Sequence, residues 1–200
     1  MSSSLNLRIV DLVAPAARCG RPGNSLETQV ASPGRRRLIL AFSGASAFGL
    51  PAFASTDPTA GLKRWGSGEF RRFGFLVYQA TLWAGDDPQR PPLALRLDYK
   101  RNIAGNAIAE ASVKEMRPLG GEEASLKRWG EQMAQVFPDV KPGDSLTGIY
   151  QPGGASFIFN GRPIGEIADP EFARRFFAIW LDPRTSAPDL RAALLKRPDA

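Results

Sequence analysis

The chain has 200 residues, 43% of them hydrophobic and 23% charged, which is the length and composition of one ordinary globular domain. Its net charge of +6 falls to +2 beyond residue 54, where 20 basic and 18 acidic residues remain, so we expect no nucleic-acid partner. Because the chain has no histidine and its single cysteine is Cys19, histidine catalysis, Cys/His metal sites and disulfides within the later part of the chain are excluded. The adjacent acids Asp86-Asp87 and Glu122-Glu123 fit a solvated surface, so we expect no metal and no cofactor.

Residues 35–54 are predicted to be a secretory signal peptide. Arg35-Arg36-Arg37 forms a cationic start, an apolar stretch follows as far as Phe53, and small residues precede an expected cleavage site after Ala54. The apolar stretch is too short and too rich in Gly, Ser and Ala for a permanent membrane span. The arginines fit a twin-arginine signal and also a Sec signal, so both export routes stay open. The opposing interpretation is that residues 38–50 form a buried core helix.

The signal peptide defines the other boundaries of the chain. Residues 1–34 have no periodic apolar pattern and are interpreted as a disordered extension or as the result of an upstream start site. Residues 55–65 are predicted to be a linker and residues 66–200 a single folded domain. We expect this domain in the periplasm or outside the cell, with no stable membrane span in its mature form.

Two strands are predicted at the start of the folded domain. Gly66-Ser67-Gly68 opens it, and residues 73–83 then carry aromatic and β-branched side chains on both alternating faces. This pattern is typical of a central strand that is covered on each side. In residues 93–100 every second residue is apolar, while Arg96 and Asp98 occupy the other face, which predicts a strand that is solvated on one side.

Four helices are predicted in the remainder of the chain. Residues 106–117 and 122–137 carry apolar side chains at spacings of three and four, as one face of a helix requires. A third helix is expected to begin after Asp169, which is a favourable N-cap, with Pro170 at its first position. A short fourth helix is expected around residues 188–195.

Three short strands are predicted between the second and third helices, at residues 145–150, 156–159 and 163–167. The Asn160-Gly161 pair is the strongest hairpin signal in the chain, because both residues tolerate the positive φ of a type I′ turn. Together the elements predict an α+β fold in which an antiparallel β-sheet is packed on one face by helices, an open-faced sandwich.

These elements resemble the chalcone isomerase-like superfamily in their order and in several of their residues. The resemblance lies in the strand FLVYQATLW from Phe75 to Trp83, in the hairpin residues 144–167, and in the segment FFAIWLDP of residues 176–183. It spans roughly Gly66 to Leu195 and is nearest to the exported bacterial chalcone isomerase-like proteins. The order of the motifs, more than any one of them, carries the resemblance.

The resemblance implies one of two activities in a cleft between the sheet and the helices. Plant enzymes of the superfamily bind a chalcone there and close it to a flavanone, with an arginine, a threonine, a tyrosine, an asparagine and a Ser/Thr positioning it. Non-catalytic relatives bind a fatty acid, whose carboxylate a basic and a hydroxyl residue hold. In this chain the polar positions other than the arginine are filled differently, by Tyr78, Ile108, Glu115 and Arg175.

We therefore expect a non-catalytic, exported protein that binds a small amphipathic molecule, such as a fatty acid or a flavonoid-like compound. Predicted ligand-binding residues are Arg71, Arg72, Tyr78 and Arg101, and predicted pocket-lining residues are Phe75, Trp83, Phe176 and Trp180. The opposing interpretation is that these aromatic side chains are core and these arginines are solvated. No residue is assigned a catalytic role.

Two alternatives to this hypothesis remain. The first is an intramolecular lyase acting on a chalcone-like conjugated carbonyl compound, because cyclisation needs only conformational restriction and electrostatic stabilisation. The second is an accessory protein of envelope machinery, for which Arg174-Arg175 and the proline-rich loop at residues 88–92 would form a contact surface. The sequence identifies no protein partner.

Overall fold

The computed structural model describes residue 57 and residues 59–196. The predicted extension, the signal peptide and its cleavage site after Ala54 therefore lie outside the described residues. Within them no helix is long and apolar enough to cross a membrane.

The described residues form one six-stranded sheet in which every strand pairs antiparallel with its neighbour in sequence. The strands are β1 (Lys63–Arg72), β2 (Phe75–Ala84), β3 (Leu93–Tyr99), β4 (Ser145–Gln151), β5 (Gly154–Phe159) and β6 (Arg162–Ile167). Four α-helices accompany them: α1 (Gly105–Met116), α2 (Glu123–Val136), α3 (Pro170–Leu181) and α4 (Pro188–Leu194).

All four helices lie on one face of the sheet. The strand register places Leu82, Leu95, Gly148 and Phe157 side by side in one row, and all four are buried. Phe177 of α3 packs directly on Gly148, where an added Cβ would lie 3.2 Å from its ring. Helix α2 meets this same face at Gly165 of β6, and α4 meets it at β1. The predicted fold class, an antiparallel sheet with helices on one face, is confirmed.

The first strand is the main difference from the sequence prediction. Residues 55–65 were expected to be a linker and residues 73–83 a central strand covered on both sides, but β1 begins at Lys63 and occupies the edge of the sheet. Strand β2 is consequently second from the edge, and its first residue, Phe75, is 61% exposed. The sequence of β1 contains two glycines and five charged residues, so it lacks the alternating pattern that identifies a strand.

The glycines of β1 allow α4 to lie directly on the strand. An added Cβ at Gly66 would overlap the carbonyl oxygen of Ala193, and one at Gly68 would lie 2.8 Å from the Ala193 Cβ. A larger side chain at either position would push α4 away from the sheet. The last helix of the domain therefore covers its first strand.

The N-terminus of α3 is capped as the sequence predicts. The Asp169 carboxylate accepts hydrogen bonds from the backbone N–H groups of Glu171 and Phe172, and from the indole Nε1–H of the buried Trp129 at 2.8 Å. Burial raises the pKa of Asp169, but these hydrogen bonds outweigh it, so the pKa lies below its ordinary value. The cap thus also fixes α2 against α3.

Two hairpin turns share one backbone conformation. Asn160 and Gly161 have φ angles of 49° and 80°, as the Asn-Gly signal predicts, and Phe73 and Gly74 between β1 and β2 have φ angles of 48° and 79°. Phe73 and Asn160 are the two non-glycine residues with positive φ in the described part of the chain.

Candidate ligand-binding site

An apolar cavity of about 70 Å³ lies between the sheet and helices α1 and α3. Strands β2 and β3 contribute Tyr78 and Tyr99 to its wall, α1 contributes Ile108 and Glu115, and α3 contributes Trp180. The cavity is also lined by Leu97, Leu146 and Phe176. It is smaller than the roughly 150 Å³ of an engineered cavity that holds benzene.

Two phenol groups face this cavity. The Trp180 Nε1–H donates a hydrogen bond to the Tyr78 hydroxyl at 3.1 Å, and the Tyr78 and Tyr99 rings meet edge to face with centroids 6.0 Å apart. Burial raises the pKa of both tyrosines far above the ordinary value, against a smaller lowering at Tyr78 by the Trp180 hydrogen bond. Both phenols therefore stay protonated and can donate a hydrogen bond to a molecule in the cavity.

A buried carboxylate marks one end of the cavity. Glu115 is 7% exposed, and its carboxylate accepts a hydrogen bond from the hydroxyl of Ser186, in the segment that leads to α4. The two residues are 71 positions apart in the sequence, so this hydrogen bond joins α1 to the segment before α4. Glu115 is thus held at a fixed place at the boundary of the cavity.

A second, larger pocket of about 360 Å³ adjoins the cavity on the other side of Glu115. The end of β1 and the start of α4 form its walls, and most of its lining groups are polar or charged. Phe70 and Glu115 line both spaces, so these two side chains separate them. The Phe70 ring stacks on Tyr78 with a centroid separation of 5.0 Å.

The structure places the predicted ligand-binding residues in three environments. Tyr78 lines the apolar cavity, and Arg71 and Arg72 line the polar pocket. Arg71 is exposed and pairs with Glu69 at 2.8 Å, whereas the Nε of Arg72 is buried without a hydrogen-bond partner among the described residues. Arg101 lines neither space, and its Nε–H donates to the carbonyl oxygen of Leu76.

The predicted pocket-lining residues divide in the same way. Phe176 and Trp180 line the cavity, but they do not fill it. Trp83 follows Leu82 in β2, so its side chain points to the opposite face of the sheet, and it lines neither pocket. Phe75 lies at the exposed tip of the first hairpin. The neighbouring aromatic residues Phe172 and Phe177 are fully buried core.

Sequence reasoning missed three of the residues that shape these spaces. Phe70 and Ser186 belong to β1 and to the segment before α4, and neither has a pattern that places it near the cleft. Tyr99 carried a signal, since it ends the apolar row of β3 that was predicted to face the helices. Arg175, at the position of the superfamily's Ser/Thr, donates instead to the carbonyl oxygen of Leu119 and to Glu171.

The chain is similar to known proteins in both sequence and fold. An uncharacterized protein of Haemophilus influenzae is 29% identical over 146 residues, which are 72% of this chain and 72% of that protein. The crystal structure of an Arabidopsis thaliana fatty-acid binding protein superposes with a TM-score of 0.52 at 14% identity, over 67% of this chain and 86% of that one. The sequence profile described as "Chalcone isomerase-like" matches residues 65–196. By this match, which covers all four helices and all of the sheet except the first two residues of β1, the chain belongs to the chalcone isomerase-like family.

Proposed function

We propose that this protein is a non-catalytic binding protein for a small amphipathic molecule, such as a fatty acid. The observation that carries the proposal is the arrangement of two spaces, one apolar and one lined mostly by polar residues, that share Phe70 and Glu115 in their walls. An acyl chain would enter the apolar cavity, and its headgroup would stay in the polar pocket. Ligand sites of this kind combine a mostly apolar wall with a few fixed polar groups.

Arg72 is the group that we expect to bind an anionic headgroup. Its guanidinium lies at the polar pocket, and its buried Nε–H has no acceptor among the described residues. An unsatisfied buried donor is unfavourable, and a carboxylate that accepts from it makes a charge-assisted hydrogen bond. Arg71, by contrast, already pairs with Glu69.

The size of the cavity adds a conformational requirement. Ordinary ligand sites have volumes of roughly 300 Å³ or more. The polar pocket exceeds this volume, but the apolar cavity is far smaller. A long acyl chain therefore has to displace the stacked rings of Phe70 and Tyr78. Such a movement also breaks the hydrogen bond between Trp180 and Tyr78, so we expect the ligand-bound state to differ from this one in these three side chains.

The fold supports the same interpretation. A protein with this fold and 14% identity to this chain is a fatty-acid binding protein. The chain also departs from the polar residues that the superfamily's enzymes place in the cleft, since Glu115 and Ile108 line the cavity at two of those positions.

Calorimetric titration with dodecanoic acid, of the wild type and of two arginine variants, tests the proposal. We expect Arg72→Gln to bind at least about tenfold more weakly, because it loses a charge-assisted hydrogen bond. Arg64→Gln is the matched control, since Arg64 lies on the same strand but lines neither space. No heat of binding with the wild type, together with no lipid extracted from the purified protein, would remove the proposal.

A catalytic role has one supporting observation, the two protonated phenols in an apolar cavity. They could donate hydrogen bonds to the carbonyl oxygen of a conjugated ketone and to the enolate that develops from it. A chalcone cyclisation assay of the wild type, Tyr78→Phe and Tyr99→Phe checks this second candidate. Equal rates in all three proteins would exclude it.

We further propose that the domain is exported after removal of residues 1–54. The support is the cationic, apolar and small-residue order of residues 35–54. N-terminal sequencing of the protein recovered from the periplasmic fraction should begin at Ser55. Recovery of the intact chain from the cytoplasm alone would contradict export.

A further inference from the structure

The tip of the first hairpin exposes two large aromatic side chains. Phe73 is 71% exposed and Phe75 is 61% exposed, and they are the two large hydrophobic residues so exposed in the described part of the chain. Exposed aromatic groups in one place are unfavourable in water and are typical of a contact surface. Neither phenylalanine belongs to the cavity or the polar pocket.

The backbone at this tip is also unfavourable for the residue that it carries. Phe73 has a φ of 48°, in the left-handed region that bulky side chains rarely adopt. Glycine or asparagine would occupy this position at lower conformational energy. An aromatic residue that is strained and solvent-exposed contributes little to folding, which indicates a role outside the fold.

Cationic groups surround the two rings. The Arg72 guanidinium carbon lies 4.4 Å from the centroid of the Phe73 ring, and that of Arg101 lies 4.8 Å from the centroid of Phe75. Lys100 is exposed next to Arg101, where the end of β3 adjoins the start of β2. Arg71 is the fourth cation, and Glu69 is the acidic group that pairs with it. The tip is therefore apolar at its end and positively charged around it.

We propose that this tip, from Arg71 to Phe75 with Lys100 and Arg101, docks onto an anionic lipid surface. The two phenylalanines would insert at the level of the headgroups, and the cations would bind the surrounding phosphates. A lipid surface fits better than a protein partner, because a stable protein interface buries about 800 Å² on each side and two side chains provide far less. This lipid contact goes beyond the function proposed above, and it shares Arg71 and Arg72 with the polar pocket.

One consequence concerns the polar pocket, which Arg71 and Arg72 also line. Its opening lies beside the proposed lipid contact. A molecule leaving a bilayer at this tip would thus reach the pocket without crossing bulk water.

Co-sedimentation with vesicles tests the proposal. The full chain is mixed with vesicles of phosphatidylcholine alone, or with about one third phosphatidylglycerol. The double variant Phe73→Asn/Phe75→Thr should reduce the partition coefficient on the anionic vesicles at least about tenfold, since it removes the two aromatic groups that would insert into the bilayer. Asn suits the positive φ and Thr suits a strand, so the hairpin should stay folded; an unchanged circular dichroism spectrum verifies this.

A charge reversal separates the role of the cations from that of the rings. Lys100→Glu should weaken binding severalfold, whereas its matched control Lys127→Glu should not, because Lys127 is an exposed lysine on α2, against β6 at the opposite edge of the sheet. Equal binding by the wild type and the double variant would overturn the proposal. The proposal would also be overturned if neither kind of vesicle bound the protein and Phe73 instead mediated self-association or binding to another protein.

A local probe reports on the tip itself, whatever residues 1–54 contribute to vesicle binding. An environment-sensitive dye on Phe75→Cys, in a Cys19→Ser background, should brighten on anionic vesicles because it enters an apolar phase. The same dye on Lys127→Cys should not. Unchanged emission at position 75 would overturn the proposal even if the protein sediments with vesicles.

Discussion

The turn between β1 and β2 and the turn between β5 and β6 have nearly the same backbone, but a different residue occupies the first position of each. Asn160 suits the left-handed conformation, and Phe73 does not. The Asn160 side chain accepts a hydrogen bond from the Ser145 N–H at 2.8 Å and donates one to Asp144 at 2.9 Å. Phe73 instead contacts the guanidinium of Arg72 and is otherwise largely solvated.

The difference indicates that Asn160 serves the stability of the fold, whereas Phe73 serves a contact with another molecule. At Asn160 the conformational preference, the turn and the hydrogen bonds all agree, which is the consistency expected of a residue that specifies the fold. At Phe73 they conflict, and such conflicts concentrate at functional sites. Substitutions at the two turns should therefore have opposite effects on stability.

The largest effect is expected when the second turn is given the residue of the first. Asn160→Phe should lower the free energy of unfolding by about 2–3 kcal/mol, because it adds strain and leaves the buried Ser145 N–H without its acceptor. Urea denaturation followed by circular dichroism measures this. Asn160→Gly keeps the favourable φ and loses only the hydrogen bonds, so its loss should be smaller. An equal loss in both would show that strain contributes nothing.

The reverse substitution should stabilise the protein. Phe73→Asn should raise the free energy of unfolding by about 1 kcal/mol, since asparagine enters the left-handed region more easily and Phe73 has little packing to lose. The same urea experiment checks it, with Phe75→Thr as a control that should change little. A destabilised Phe73→Asn protein would mean that the ring packs in the folded state, and the contrast between the turns would disappear.

The smallest effect is a pH dependence confined to the second turn. The Asn160 amide and the Lys141 N–H donate to Asp144 and hold the pKa of its carboxyl below the usual value. This group therefore stabilises the fold above the unfolded-state pKa of about 3.9, and the contribution is lost as the pH falls through the lower folded-state value. The melting temperatures of wild type and Asp144→Asn should differ at pH 7 and converge in acid. A difference that widens in acid would contradict the assignment.

The contrast between the hairpins also explains how much of the fold the sequence could predict. The second hairpin was predicted because its Asn-Gly pair acts locally, and β3, α1, α2 and α3 were predicted because their apolar spacing is itself the signal. Strand β1 was missed because its positions toward the helices include Gly66 and Gly68. They are small so that α4 fits against them, and that requirement comes from residues more than 120 positions away.

The candidate site was predictable to the extent that composition defines it. With no histidine in the chain and its single cysteine at position 19, arginine and tyrosine were the remaining groups with useful chemistry, and Arg72 and Tyr78 do line the two spaces. The position of Glu115 depends on Ser186 and the segment before α4, which no local pattern reveals. Arg101 and Phe75 were also assigned to the pocket, but Phe75 lies at the tip of the first hairpin, and Arg101, just beyond β3, packs on its ring.

The packing of α4 on the glycines of β1 has a consequence for biosynthesis. Because α4 follows all six strands in the chain, the strands can pair before α4 is synthesised, and until then the helix-facing side of β1 stays uncovered. Stalled or shortened products would keep that edge open to proteases.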